Sequence, residues 1–299
     1  MTSESATVAD DDGILSSLRY LFADFLGDDD ATPPVLPEGL PESVGAITSD
    51  AIHLLIEYQS PGYAQLYVDR LRRFVGRREV DEAMLTEIAQ LMAQRMAYED
   101  PIRIAQLKLL ELEGKCAQAG SVDIRRFRFD ELVDALPAAI AEPVLDILEW
   151  LGWARRTVKV KFSTRNRFSV RRLKLEAGLK RWRLFSVRYV KERVWVERWL
   201  HMINRSLAKQ PAAALEVIRT ATMIEGYGAS YRQGLADWHT IIDDLAKPTF
   251  DGVLALPDLA GAIAEARAAA MPDPRQAALK RKIAEIRARL PAGASAAAD

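Results

Sequence analysis

The sequence predicts a mainly all-α protein, a multi-helix bundle-like array with one long basic helix and one short extended arm or hairpin. Three observations carry that expectation. Apolar residues recur at helical spacing over most of the chain from Thr48 onward. Proline, glycine and cap-type residues punctuate these stretches where helices should start and stop. One segment, residues 155–164, instead alternates apolar and basic residues with the period of two that a strand requires.

The elements follow in order. Residues 1–12 are polar and acidic, and the sequence predicts disorder there. Residues 14–26 place Leu15, Leu18, Phe22 and Phe25 at helical spacing, which predicts a short amphipathic helix. Residues 27–43 hold three aspartates, four prolines and two glycines, and cannot continue it. Residues 1–47 therefore form an acidic leader, short helix and Pro/Gly linker. A helical domain is expected over 48–290, with a subdivision near 155–168, and a frayed tail over 291–299.

Within the domain, a helix from Thr48 ends before Pro61, which opens the next one. A third runs from Val80 to Ala97. Asp100 is a cap ahead of Pro101, and the helix it opens closes between Gly114 and Gly120. Two shorter helices, 127–137 and 141–153, form a pair suited to a small docking module. In residues 155–164, Val158, Val160 and Phe162 alternate with Lys159 and Lys161, with no second strand of similar quality nearby.

From Ser169 to Lys209 there is no proline. Leu175, Leu179, Trp182, Phe185, Tyr189, Val196, Trp199, Ile203 and Leu207 trace one apolar stripe, read as core, along either one continuous helix of about 40 residues or a run broken at Gly178 or a small offset. Helices follow from Pro211 to Glu225 and from Tyr231 to Leu245. A Pro/Gly loop from Lys247 leads to alanine-rich helices at 258–270 and 274–290.

Charge is segregated. The net charge is −1, yet residues 1–50 hold eleven acids and only Arg19 as a base. Residues 155–193 hold fifteen Lys/Arg against Glu176 and Glu192. The basic segment is either a surface for an anion or a solvated face neutralised by the acidic remainder. The pI of 6.4 argues against a dedicated nucleic-acid binder.

Several chemistries have no motif. There is no GxxxxGK[ST] loop and no GxSxG. The Gly226-Tyr227-Gly228 turn lacks the third glycine and preceding strand of a dinucleotide site. His53, His201 and His239 stand in separate segments without metal-ligand spacing. Cys116, the only cysteine, reads as a small core or boundary residue. No apolar run approaches the roughly 20 residues of a membrane span, and no secretory signal pattern opens the chain. A cytoplasmic location is the expectation.

Three groups are candidates for binding a ligand or partner. Tyr98, Glu99, Asp100 and Arg103 crowd a helix–helix junction, where Asp100 is expected to cap and Arg103 to pair with Glu99. Lys180, Arg181 and Arg183 lie in the basic helix. Gly226, Tyr227, Gly228, Arg232 and Gly234 lie around a turn, where close glycines suit a helix terminus.

Four runs recur together: IEYQSPGYAQLYVDRL (56–71), MAYEDPIRIAQLKL (96–109), GLKRWRLFSVRYVKER (178–193) and MIEGYGASYRQGLADW (223–238). In this order and at these separations they resemble the C-terminal helical region of bacterial indolepyruvate:ferredoxin oxidoreductases, especially the beta-subunit type. The resemblance extends from about Thr48 to Leu290. It implies a system that oxidatively decarboxylates indolepyruvate or related aryl-2-oxoacids. Such a system uses thiamine diphosphate, magnesium and coenzyme A, and iron–sulfur clusters carry its electrons to ferredoxin. In that family a separate catalytic domain precedes the helical region. Here residues 1–47 are an acidic leader and linker too short to replace that domain, and the sequence has no GDG…N motif and no cysteine set.

The resulting expectation is an accessory or assembly component that is not catalytic alone. Its cofactors belong to partner subunits, the catalytic subunits of a 2-oxoacid:ferredoxin oxidoreductase. The alternatives are a free-standing module for a phosphate-bearing ligand such as an acyl-CoA, or a structural adaptor acting through the 14–26 helix.

Overall fold

A computed structural model describes residues 32–114 and 122–289. The predicted 14–26 helix, Cys116 and the 291–299 tail lie outside the described residues. Among the described residues the fold is mainly α-helical with one two-stranded sheet. The chain forms two compact units. The first comprises residues up to Gly76 together with Met92–Lys191; the second comprises Arg77–Leu91 and the chain from Glu192 onward. Among the described residues, no helix is long and apolar enough to cross a membrane.

The first unit begins with α1 (Glu42–Tyr58) and α2 (Pro61–Arg72), an antiparallel pair whose inner faces carry Leu55, Tyr58, Leu66, Tyr67 and Leu71. Helix α1 starts at Glu42, ahead of the expected Thr48. Thr48 does not cap: its hydroxyl donates to the Val44 carbonyl at 2.7 Å, one turn back. Ser60 caps α2 by accepting from the Tyr63 N–H at 3.1 Å, with Pro61 in the first turn. The end of α3 (Glu82–Met96) and α4 (Pro101–Glu113) follow.

Strand β1 (Val122–Arg128) pairs antiparallel with β2 (Thr157–Ser163). Between them lie α5 (Phe129–Asp134) and α6 (Ala138–Trp150), which pack on each other. The basic segment thus does have a strand partner. Alternation in Val122, Ile124 and Arg126 against Asp123, Arg125 and Phe127 is its signal. Asp123, Arg125, Phe127, Val158, Val160 and Phe162 share the inner face, where the Phe127 and Phe162 rings meet edge to face at 6.4 Å. Val122, Ile124, Arg126, Lys159 and Lys161 share the exposed outer face.

The Ser169–Lys209 run is not one helix. Helix α7 (Arg167–Gly178) gives way just after Gly178 to a 3-10 segment (Leu179–Phe185), and α8 (Val187–Lys209) follows. A 3-10 turn advances three residues rather than 3.6, so the apolar face rotates out of line. Leu175, Leu179, Trp182 and Phe185, expected as core, are therefore exposed. Tyr189, Val196, Trp199, Ile203 and Leu207 are buried as expected.

The second unit includes the start of α3, the length of α8 from Glu192, α9 (Ala214–Arg219) and α10 (Gly228–Ile241). Trp195 and Trp199 stack at 6.0 Å, and Trp238 meets Trp195 edge-on at 5.2 Å. The buried Trp199 and Trp238 indoles donate to the Ile218 carbonyl (3.2 Å) and the Thr220 hydroxyl (2.9 Å). The expected loop starts later than Lys247: its first four residues are helical, and only 251–258 are irregular. Helix α10 passes through a π turn (Ile242–Ala246) into α11 (Lys247–Phe250). Pro248 cannot donate to the Asp244 carbonyl one turn back, but Arg287 donates to that carbonyl at 2.7 Å. Arg287 belongs to α13 (Ala277–Ala288), which packs on α12 (Leu259–Ala269).

Candidate functional site

The first three of the four sequence runs meet inside the first unit, around Arg183. Its side chain is only 1% exposed, although the flanking Arg181 and Trp182 are exposed. Burying a lone guanidinium costs several kcal/mol, so the surroundings must compensate. Here all five N–H donors are used. Nε reaches Asp100 Oδ2 at 2.7 Å, and Nη2 reaches Asp100 Oδ1 at 3.1 Å and Gln106 Oε1 at 3.4 Å. Nη1 donates to the Tyr58 carbonyl at 2.7 Å and to Gln59 Oε1 at 3.3 Å. The guanidinium also lies 3.9 Å from the centre of the Tyr58 ring.

The geometry joins two helix termini. The Tyr58 carbonyl ends α1, where a cation is favoured. Asp100 caps α4 by accepting from the Arg103 N–H at 2.6 Å, where an anion is favoured. Arg183 thus fixes the C-terminus of α1 against the N-terminus of α4. Burial pulls the Arg183 pKa down, but Tyr58 and Asp100 more than offset it, so the group stays charged. Burial raises the Tyr58 pKa well above its ordinary value, against the pull of Arg183, so its phenol stays a donor.

A tyrosine cluster surrounds this node. The Tyr58 hydroxyl donates to the Tyr98 carbonyl at 3.2 Å, and the Tyr63 hydroxyl donates to the Met96 carbonyl at 2.9 Å. Tyr98 packs edge-on against Tyr58 at 5.8 Å, and Arg188 lies 5.5 Å over the Tyr98 ring. Replacing Tyr58 with phenylalanine keeps the ring under Arg183 and removes one hydrogen bond. A loss of about 1 kcal/mol is expected, read as a small fall in denaturation midpoint with the fold retained.

The other expected residues divide. Arg103 pairs with Glu57 at 2.7 Å rather than with Glu99, because the first turn of α4 faces the end of α1; Glu99 instead lies 3.6 Å from Arg125. Lys180 is half-buried and Arg181 exposed. The Gly226–Gly234 group belongs to the second unit. Gly226 and Gly228 both take φ +66°, the left-handed region glycine favours, on either side of Tyr227, which precedes α10. Tyr227 and Arg232 are half-buried. Gly234 is buried where α10 crosses the Met223–Ile224 backbone.

Much of the basic segment lies at the surface. Arg155, Arg156, Lys159, Lys161, Arg165, Arg167, Arg171 and Lys174 are exposed, and among the described residues none pairs with a carboxylate. The described part of the chain does not neutralise this face.

The profile of DUF6537, a family of unknown function, matches residues 44–244. The chain belongs to that family. No curated protein and no solved structure matches the chain. The DUF6537 segment contains the whole Arg183 node and the Gly226–Gly234 turn, but not the acidic leader or the last two helices.

Sequence reasoning missed Tyr58, Gln59 and Gln106 as partners of Arg183, although all three stand in the quoted runs. It also missed an exposed apolar face on α6. Only Ala141 of that helix is buried, while Ile140, Ile147 and Leu151 share one exposed stripe and Trp150 is 84% exposed. Apolar spacing was its signal, but spacing does not tell a covered stripe from a bare one.

Proposed function

We propose that this DUF6537 chain is a non-catalytic docking component of a thiamine-dependent indolepyruvate or aryl-2-oxoacid:ferredoxin oxidoreductase system in the cytoplasm. The observation that carries the docking role is the bare apolar stripe of α6. Large apolar side chains left in water are a standing free-energy cost that a protein partner relieves. The oxidoreductase assignment rests on the four sequence runs and their resemblance. Three of those runs are spent on the Arg183 node, whose donors are all taken by protein groups. That use is architectural and favours a scaffold over a catalytic centre.

The donor set agrees with cofactors housed elsewhere. One cysteine cannot ligate a four-cysteine iron–sulfur cluster. Thiamine diphosphate, magnesium and the clusters are assigned to the catalytic partner subunits.

The test is capture of the tagged chain from native lysate, assaying the eluate for thiamine-dependent oxidation of an aryl-2-oxoacid coupled to ferredoxin reduction. Wild type should bring down that activity. Ile147→Glu/Trp150→Glu, at exposed positions, should lose it by tenfold or more without loss of fold. Eluates with no such activity, or activity indifferent to the double substitution, refute the reading.

A further inference from the structure

The exposed stripe on α7 and the 3-10 segment has a partner of complementary chemistry in the same chain. Phe168, Leu175, Leu179 and Trp182 follow one another at steps of seven, four and three, and all four are exposed. Arg167, Arg171 and Lys174 are exposed alongside them, with no carboxylate partner among the described residues. An apolar stripe edged by cations is one half of an amphipathic helix interface.

The other half is written in residues 1–31, which precede the described structure. Leu15, Leu18, Phe22 and Phe25 recur at steps of three, four and three. Asp10, Asp11 and Asp12 stand before this run, and Asp28, Asp29 and Asp30 after it. As a helix, residues 14–26 would be about 20 Å long, close to the roughly 22 Å spanned by residues 168–182 were that stretch fully α-helical. Sign, apolar spacing and length all match.

We propose that residues 14–26 lie along this stripe of their own chain, with the flanking aspartates set against its cations. The tether makes the contact intramolecular, so its effective concentration is on the order of millimolar even though each rim ion pair is weak. Apolar contact supplies the hold and charge supplies the register. The contact would also reconcile a net charge of −1 with a strongly basic face. It uses residues other than the α6 stripe and needs no partner, so it stands or falls apart from the docking role.

Zero-length carbodiimide cross-linking of the full chain at low micromolar concentration, read by mass spectrometry, tests it. Isotopically light and heavy copies are mixed beforehand. Links are expected between the leader aspartates and Lys174 or Lys180 within one copy. Their yield should fall at least fivefold in Leu175→Glu/Trp182→Glu. Phe22→Glu/Phe25→Glu should give the same loss while leaving residues 32–289 untouched. No links, links only between light and heavy copies, or yields indifferent to both double substitutions overturn the proposal.

Discussion

Replacing Arg183 with methionine should destabilise the first unit by about 3–5 kcal/mol, the range for breaking a buried ion pair from one side. The cost is not chiefly the lost attraction. Asp100, only 5% exposed, would be left with the Arg103 N–H as its remaining partner in the node. The Tyr58 carbonyl, which ends α1, would keep only the 3.4 Å contact from Gln106. The Tyr58 ring would lose the cation at 3.9 Å. Methionine fills most of the volume, so the effect separates charge from packing. In Arg183→Met/Asp100→Asn the stranded charge is gone and the cap acceptor stays, so part of the loss should return. Because the chain has two units, one global transition is a poor readout. Native-state hydrogen exchange of α1 and α4 amides reads the first unit directly. Arg183→Met should accelerate it by a hundredfold or more, and the double variant by clearly less. Equal acceleration in both would mean the node is packing alone.

The second large effect is expected at Gly234. Alanine at a helical glycine usually stabilises, by up to about 1 kcal/mol. Here the sign reverses. A Cβ on Gly234 would overlap the Met223 carbonyl oxygen and stand 2.9 Å from Met223 C and 3.1 Å from Ile224 Cα. These are backbone atoms and cannot swing aside as a side-chain tip can. Helix α10 must lift, and Trp238 one turn on loses its bond to Thr220 and its place against Trp195. A cost of about 1–3 kcal/mol or more follows, as for overpacking. A lowered melting temperature and a weakened near-UV signal from the tryptophan group are the expected readings. Gly234→Ala with unchanged or raised stability would mean that α10 does not cross that backbone closely.

The comparison of sequence with structure turns on which residues carried local information. Asp100 capping before Pro101 was legible because a cap and its helix are neighbours. The strand at residues 157–163 was legible, but its partner was not. Some 28 residues, two helices among them, separate the two strands, and Phe127 also fits the helix that begins beside it. Arg183 was the hardest case. Nothing local distinguishes it from Arg181, and the apolar Trp182 between them invites the opposite reading. Asp100, 83 residues away, and the end of α1, more than 120 residues away, make its burial tolerable. The glycines at 226–234 were legible as a turn. That Gly234 marks a close crossing was not, because its neighbour Met223 lies in another element.

We propose that the buried Arg183 node builds the scaffold, whereas the bare α6 surface holds the partner. Partner capture at equal amounts of folded protein tests this most directly, comparing Tyr58→Phe with Ile147→Glu/Trp150→Glu. Tyr58→Phe, though slightly less stable, should retain the oxidoreductase activity in the eluate, and the α6 variant, fully folded, should lose it. Loss of capture by a folded Tyr58→Phe chain, with capture intact in the α6 variant, would contradict the claim.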